Sequence, residues 1–260
     1  MPTHSPFERD TGYASRMRID VLMPTYHRSR ELLQALDSLR QQSHVNWRAL
    51  IVDDGDGDGV RAAKQVGDPR ITAFLNPGSG QVDARNAALE HGDGDVVMLL
   101  DDDDLLIDPD HMSKVGDRLA QGPALVHRTG WFLFYESERE VAREPFQPTT
   151  TPDSLRNDNT ILTCGLAWPR ALHADLGAFD PSMGSYFDWD WILRVLDADV
   201  DLHEIPEPGV GYRIHGGNTS GNPTAKRTAA FERFCRKHAL TLQQKDHLTV
   251  HRERREQASD

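Results

Sequence analysis

The sequence predicts an α/β protein in which helices flank a mostly parallel sheet. In the first hundred residues, short apolar segments rich in β-branched residues alternate with segments whose apolar residues recur at helical spacing. That alternation is typical of strands joined by crossover helices. The acidic residues of this half gather directly after predicted strands, where α/β sheets bind ligands. With 260 residues, the chain is expected to form one domain with two lobes around a sizeable core.

Four strands and three helices are predicted in the first half. The first strand, at residues 19–23, is predicted to end at Pro24. Leucines within residues 29–42 then recur at helical spacing and place one apolar stripe on the sheet. The other predicted elements are strands at 47–52, 71–75 and 96–100 and helices at 60–66 and 82–91.

The second half has a different character. Residues 129–135 are aromatic and predict a strand, whereas residues 136–159 hold three prolines and many polar residues. We expect a long surface excursion or mobile loop there, which could meet an acceptor. The remaining predicted elements are a helix at 186–196, short strands broken by prolines at 203–214, and one helix or a pair at 225–255.

Composition excludes some classes of function. The chain has 41 acidic and 29 basic residues, and its formal charge of -12 would repel a nucleic-acid backbone. We therefore expect no nucleic-acid partner, and acidic clusters favour divalent cations. Cys164 and Cys235 are the only cysteines, too few for a disulfide framework, which predicts reduced thiols in a cytoplasmic protein.

Neither a membrane span nor an export signal is predicted. No window reaches the roughly 18 uninterrupted apolar residues that a spanning helix needs. Residues 1–17 are polar, lack the apolar core of a signal peptide, and are expected to form a flexible leader.

Three acidic or basic positions are candidates for chemistry. Four consecutive aspartates, 101–104, end a buried strand and would repel one another unless a cation or solvent neutralises them. A magnesium or manganese site and a solvated turn are both open at this point. Asp188 lies between aromatic residues and is either a general base or a helix-capping carboxylate. His215 is either a metal ligand or an ordinary loop histidine.

Five further segments stand out in chain order: IDVLMPTYHR, ALIVDDGDGD, GQVDARNAALEHGDGDVVMLLDDDD, GAFDPSMGSYFDWDWILRVL and GYRIHGGNTS. Taken together, they resemble the family 2 glycosyltransferases, which have the GT-A fold. In this resemblance, which spans roughly residues 18–220, the third segment carries the DxD motif and the fourth an acceptor-side helix.

The resemblance implies a nucleotide-sugar site built from the ends of the first strands. Asp53 or Asp54 would accept a hydrogen bond from the base, Arg85 would help to hold the nucleotide, and Asp101 or Asp102 would lie near the ribose. The implied nucleotide-sugar residues are Pro24, Thr25, Tyr26, Arg28, Asp53, Asp54, Arg85, Asp101 and Asp102.

The same resemblance implies a metal site and a catalytic base. Asp101 and Asp103 frame the DxD motif, with Asp103 as the direct ligand of Mn²⁺ or Mg²⁺, and His215 would complete the metal shell. Asp104 could add a further ligand. Asp188 matches the base of inverting members and follows Phe187 where the family usually has an acidic residue, so Asp190 is the runner-up.

The predicted function is therefore the metal-dependent, inverting transfer of a sugar from a nucleotide-diphosphate donor to an acceptor hydroxyl. A UDP-sugar is the favoured donor, and carbohydrate, lipid-linked and small-molecule acceptors all stay open, as does a homo-oligomer. A non-catalytic nucleotide-sugar binding protein and a sugar-1-phosphate nucleotidyltransferase are the alternatives. The expected domain contains a nucleotide-binding half, an acceptor-binding half and a C-terminal helical extension, at residues 18–107, 108–220 and 221–260.

Overall fold

The computed structural model describes residues 16–216 and 224–257. Within these ranges a mixed sheet has the order β3-β2-β1-β4-β8-β6-β9-β5, and β7 pairs with β6 outside this path. The strands are β1 Ile19–Thr25, β2 Trp47–Asp53, β3 Ile71–Leu75, β4 Val96–Leu99, β5 Leu105–Leu106, β6 Ala124–Glu136, β7 Arg139–Phe146, β8 Ala167–Pro169 and β9 Asp201–Ile214.

Helices connect and cover these strands. The four long strand predictions of the first half are confirmed to within two residues, as are the helices that join them. The helices are α1 Ser29–Arg40, α2 Asp58–Val66, α3 Gln81–His91, α4 His111–Leu119, α5 Leu172–Leu176, α6 Phe187–Asp197, α7 Ala225–Lys237 and α8 His247–Gln257.

Parallel pairing brings the ends of β1, β2 and β4 to one edge of the sheet. β1 lies between β2 and β4, and β3 extends β2 in the same direction. Thr25 is opposite Asp53, and Leu22 is opposite Leu99, so the residues that follow these three strands emerge close together. Ligands of α/β proteins bind at this carboxyl edge.

The prediction that Pro24 ends the first strand is wrong, because β1 continues through Pro24 to Thr25. The carbonyl of Leu22 accepts from the Leu100 amide on the β4 side, and Pro24, two residues later, points its nitrogen to the same side. The pairing of β1 with β4 has ended there, so the missing N–H interrupts no ladder. Pro24 meanwhile stays in register with Val52 of β2.

The segment 136–159 contains less loop than expected. Residues Arg139–Phe146 form β7, which pairs antiparallel with β6 across a tight connection. A short 3-10 helix, Ser154–Arg156, follows the last of the prolines. The predicted excursion is therefore wrong for β7, since Pro145 lies in an edge strand, where proline is tolerated.

The segment 203–214 likewise forms one strand, β9, rather than several short ones. Its register against β6 breaks between Ile205 and Val210, the stretch that contains Pro206 and Pro208. The prolines thus shift the pairing without ending the strand. At 225–255 the pair of helices is the confirmed alternative, as α7 and α8.

Apolar side chains cover both faces of the sheet. Val21 and Met23 of β1 pack with α1 and α4 on one face, and Leu22 packs with α3, α6 and α7 on the other. This alternation follows from the two-residue period of a strand. Both cysteines are free thiols, as predicted. Among the described residues no helix combines the length and apolarity needed to cross a membrane.

Candidate active site

The four consecutive aspartates follow β4 at the carboxyl edge of the sheet. Asp102, Asp103 and Asp104 are buried, and Asp101 is partly exposed. Oxygen atoms of Asp101, Asp103 and Asp104 lie within 4.8 Å of one another. Three carboxylates at this separation are suited to a hard divalent cation. The predicted ligands Asp101 and Asp103 are thus together, and Asp104 joins them.

One buried oxygen of Asp104 accepts no hydrogen bond from the described residues. Its Oδ1 accepts the backbone N–H of Arg213 at 3.0 Å, whereas Oδ2 is buried without a hydrogen-bond partner among the described residues. A buried oxygen without a partner is costly. Because this atom belongs to the three-carboxylate group, the donor set fits Mg²⁺ or Mn²⁺ in chemistry and in charge.

Arg28 and His215 bring positive or donor groups to the same aspartates. The Arg28 guanidinium lies 3.3 Å from Asp102 and also contacts Asp103. His215 Nε2 lies 3.0 Å from Asp103 Oδ2. Asp103 is therefore the carboxylate on which both groups converge. His215 therefore contacts one member of the acidic group, while residues 217–220 of its motif lie outside the described residues.

The crowding of charge shifts the pKa values of the four aspartates in different directions. Desolvation raises the pKa of Asp101, and it raises that of Asp102 to about 7, with the Asp103 charge adding to both. Burial also raises the pKa of Asp104 well above its ordinary value. Burial acts in the same sense on Asp103, but the hydrogen bond from His215 and the Arg28 charge outweigh it and lower the pKa of Asp103. Asp103 is thus the most stably ionised member.

Arg85 links α3 to the acidic group. Its guanidinium is buried, contacts Asp101, and donates to the carbonyl and side-chain oxygens of Gln81 at 3.1 and 3.0 Å. The Phe187 ring lies beneath it, 4.3 Å from the guanidinium carbon. Phe187, which departs from the acidic residue usual in the family, therefore packs against a cation at this site.

The loops after β1 and β2 complete the edge. Tyr26 is 59% exposed and donates its backbone N–H to Asp102 at 3.3 Å. Asp53 is buried and accepts the N–H groups of Gly55 and Val60 at 2.8 and 3.2 Å. Only glycine fits at position 59, where a Cβ would lie 2.5 Å from Thr25. Asp53 thus fixes the loop that leads into α2.

Asp54 serves the neighbouring loop. Both of its carboxylate oxygens accept the N–H of Gly80, at 2.8 and 2.9 Å, and Oδ1 also accepts from the side chain of Asn76 at 2.7 Å. The two aspartates therefore each organise a different loop of the predicted nucleotide pocket.

Asp188 lies in the first turn of α6, close to the acidic group. Its charge contributes to the raised pKa of Asp101. Asp188 Oδ2 accepts hydrogen bonds from Thr163 at 2.9 Å and Asn159 at 3.3 Å. Among the described residues Oδ1 has no hydrogen-bond partner, so one oxygen is held by the protein and the other remains for a ligand.

The runner-up base, Asp190, has different surroundings. It is fully buried, with Lys237 at 2.8 Å, His238 at 2.9 Å and Arg194 at 3.0 Å. Lys237 and His238 thereby tie α6 to the end of α7. An enclosed carboxylate with three basic neighbours is suited to holding helices together.

Sequence reasoning missed Thr163, Asn159 and the backbone of Arg213. Each reaches the site through contacts between residues more than 20 positions apart. The four-aspartate segment and the aromatic context of Asp188 gave local signals, whereas these partners gave none.

The chain is similar in sequence to known glycosyltransferases. The sequence profile of the family described as Glycosyl transferase family 2 matches residues 20–172. An uncharacterized glycosyltransferase, YwdF of Bacillus subtilis strain 168, is 31% identical over 232 residues, which cover 86% of this chain and 85% of that protein. The putative colanic acid biosynthesis glycosyl transferase WcaA of Escherichia coli K12 is 27% identical, with 85% and 81% covered.

Solved structures share the fold. A mannosyltransferase of Pyrobaculum calidifontis, in complex with GDP-Man and Mn²⁺, has a TM-score of 0.60 at 18% identity and covers 84% of this chain. Residues 1–349 of Staphylococcus aureus TarS, in complex with UDP-GlcNAc, also have a TM-score of 0.60, at 16% identity and 80% coverage. The present chain spans 63% and 62% of these two structures.

Proposed function

The chain belongs to glycosyl transferase family 2 and has the GT-A fold, and from this premise we propose that it transfers a sugar from a nucleotide-diphosphate donor to an acceptor hydroxyl with inversion. The main support for this proposal is that the carboxylates of Asp101, Asp103 and Asp104 lie at one edge of the sheet, together with Arg28, Arg85 and Asp188. The profile match favours a glycosyltransferase over the alternative of a sugar-1-phosphate nucleotidyltransferase.

We propose that the loops after β1 and β2 hold the nucleotide. Pro24, Thr25 and Tyr26 would line one side, and the loops fixed by Asp53 and Asp54 the other. Two of the similar structures contain UDP-GlcNAc or GDP-Man, which supports a nucleotide-sugar donor. A UDP-sugar remains the favoured one.

Asp101, Asp103 and Asp104 are the proposed holders of Mn²⁺ or Mg²⁺, with His215 at their rim. A divalent cation bound there would act as a Lewis acid that neutralises charge on the diphosphate leaving group. The complex of the mannosyltransferase with Mn²⁺ and the buried Asp104 oxygen that accepts no hydrogen bond from the described residues both support this assignment. Arg28 and Arg85 bring further positive charge to the diphosphate side, and Asp102 anchors Tyr26 and Arg28.

Asp188 is the proposed general base. Thr163 and Asn159 hold its Oδ2, and Oδ1, which accepts no hydrogen bond from the described residues, would take the proton of the acceptor hydroxyl. The deprotonated oxygen then attacks the anomeric carbon from the face opposite the nucleotide, which inverts the configuration. Asp190 is the weaker choice, because its basic neighbours enclose it.

Nucleotide release provides the test. The wild type is incubated with UDP-glucose, UDP-GlcNAc and GDP-mannose plus Mn²⁺, and free nucleotide is quantified. We expect Asp188→Asn to lower nucleotide release by roughly 10²- to 10⁴-fold, the contribution typical of a general base, while UDP binding in a thermal-shift assay persists. Asp103→Ala should lose both turnover and metal dependence.

Asp117→Ala is the matched control, because Asp117 is exposed on α4 away from the sheet edge. Full turnover by Asp188→Asn would refute the proposed role of Asp188 as the general base. A wild type that binds donors tightly without releasing nucleotide would instead support the alternative of a non-catalytic binding protein.

A further inference from the structure

A cleft beside Asp188 is closed on one side by the C-terminal segment. Asp188 and Asn159 line it, together with Arg227 of α7 and His247 of α8 on the C-terminal side. The family profile ends at residue 172, so Asp188 and the C-terminal side of the cleft both lie in a part of the chain that the profile does not cover.

Arg227 is a cation of this cleft that forms no ion pair with any described carboxylate. It is half-buried in the first turn of α7, and its guanidinium carbon lies 5.6 Å from the centre of the Tyr186 ring. Its Nε is buried without a hydrogen-bond partner, and no carboxylate of the described residues lies within 4.0 Å. Residues 217–223, which precede α7, include no Asp or Glu. Such a group gains from an added anion.

The other cation of the cleft is already neutralised. Lys245 lies 3.4 Å from Asp158 and 2.7 Å from Glu253. Asp246 is engaged as well, since its Oδ1 accepts the N–H of Thr249 at 2.7 Å at the start of α8. Arg227 is therefore the group of this cleft with spare capacity for an anion.

The walls also suit a saccharide. Tyr186 and Trp189 present aromatic side chains to the cleft, and Asn159 and Gln243 add amide groups. Asp188 and Arg227 both line this cleft, so an acceptor bound there would lie beside the proposed base and beside a cation.

We propose that this cleft binds the acceptor and that Arg227 recognises a carboxylate or phosphate group on an acceptor saccharide whose reacting hydroxyl meets Asp188. The inference rests on the proposed function, because it takes Asp188 as the base. A guanidinium donates two parallel N–H groups to such an oxyanion, which gives both strength and geometry.

Saccharide binding with the donor site filled tests the proposal. Dissociation constants of glucuronate, glucose 6-phosphate and glucose are measured by saturation-transfer NMR on the full chain saturated with UDP and Mn²⁺. We expect glucuronate or glucose 6-phosphate to bind at least about tenfold more tightly than glucose, and the stronger of the two identifies the anionic group. Arg227→Gln should reduce this preference to below about twofold, and Arg227→Lys should keep part of it.

Lys226→Gln is the matched control, since it removes the same charge from the exposed neighbouring residue and should leave the preference unchanged. An undiminished preference in Arg227→Gln, equal binding of all three sugars, or binding of none would overturn the inference. The thermal shift with UDP distinguishes a failure of this inference from a failure of the proposed function. If the variants bind UDP normally but the anion preference is missing, only the inference fails, whereas a wild type that binds no nucleotide refutes the proposed function itself.

Discussion

The hydrogen bond between Thr163 and Asp188 gives the most specific prediction. Thr163 is buried and donates to Asp188 Oδ2 at 2.9 Å, with Asn159 at 3.3 Å as the second donor. Thr163→Val keeps the shape of the side chain and removes the hydroxyl. A hydrogen bond to a charged group contributes about 1.5 to 3 kcal/mol, and each 1.4 kcal/mol corresponds to roughly a factor of ten in rate.

Because Asn159 still holds the same oxygen, we expect the lower part of this range, a fall in kcat of about 10- to 30-fold. The assay is the initial rate of nucleotide release at saturating donor, with UDP affinity measured in parallel. Thr163→Ser, which retains the hydroxyl, should recover most of the rate. The donor affinity should stay within about twofold in both variants, since the Thr163 hydroxyl donates to the proposed base.

Thr129→Val supplies the control for the loss of a buried threonine hydroxyl. Thr129 is also buried and donates to the carbonyl of Pro206 at 3.2 Å, away from Asp188. If Thr163→Val retained wild-type kcat, or if Thr129→Val lost as much, the proposed orientation of Asp188 by Thr163 would be wrong.

Three further outcomes concern stability. Asp20→Ala should lower the free energy of unfolding by about 3 to 5 kcal/mol in urea titration, because fully buried Asp20 is paired with Arg170 at 2.7 Å, and a change below about 1 kcal/mol would contradict this. Asp190→Asn should destabilise the fold similarly, yet keep nucleotide release per folded molecule within about fivefold, and a larger loss would favour Asp190 as the base. Burial lowers the pKa of His111 and of His127 from 6.5 to about 4, so the unfolded chain binds protons first and stability is lost as the pH falls from 6.5 towards 4. Each histidine contributes at most about 3 kcal/mol, and equal unfolding free energies at pH 7 and pH 5 would refute the effect.

Local patterns were enough to predict most of the fold. The strand at 71–75 has the bounds that the sequence indicated, and the helices of the first half were placed within two residues. Periodicity works for these elements because each has one buried face or two. Pro24 was misjudged because the cost of a proline depends on whether a neighbouring strand needs its N–H, and that is a property of the sheet.

The segment 136–159 contains a strand that the local sequence did not predict. The edge strand β7 has four charged residues and Pro145 among its eight residues, with Val141 exposed and Phe146 buried, and this composition is typical of a loop. Edge strands tolerate proline and charge because one side of the backbone has no partner. Whether a segment lies at an edge is set by tertiary pairing, which the local sequence does not encode.

The candidate site likewise has features that the sequence predicted and features that it did not. The aspartates at 101–104 and the loops after β1 and β2 could be placed because the carboxyl ends of parallel strands share an edge. The pairing of Arg28 with Asp103, the burial of Asp104 and the C-terminal side of the cleft beside Asp188 depend on contacts over tens of residues. Such contacts leave no periodic signal in one sequence.

Binding of Mn²⁺ in the presence of UDP tests the central assignment most directly. Electron paramagnetic resonance can count free Mn²⁺ during titration of the wild type, Asp103→Ala and the control Asp117→Ala. The acidic group at the end of β4 predicts one Mn²⁺ per chain in the wild type and in the control, with an affinity at least about tenfold weaker in Asp103→Ala. Equal Mn²⁺ affinity in all three proteins would contradict the assignment of the metal and the diphosphate to this edge of the sheet.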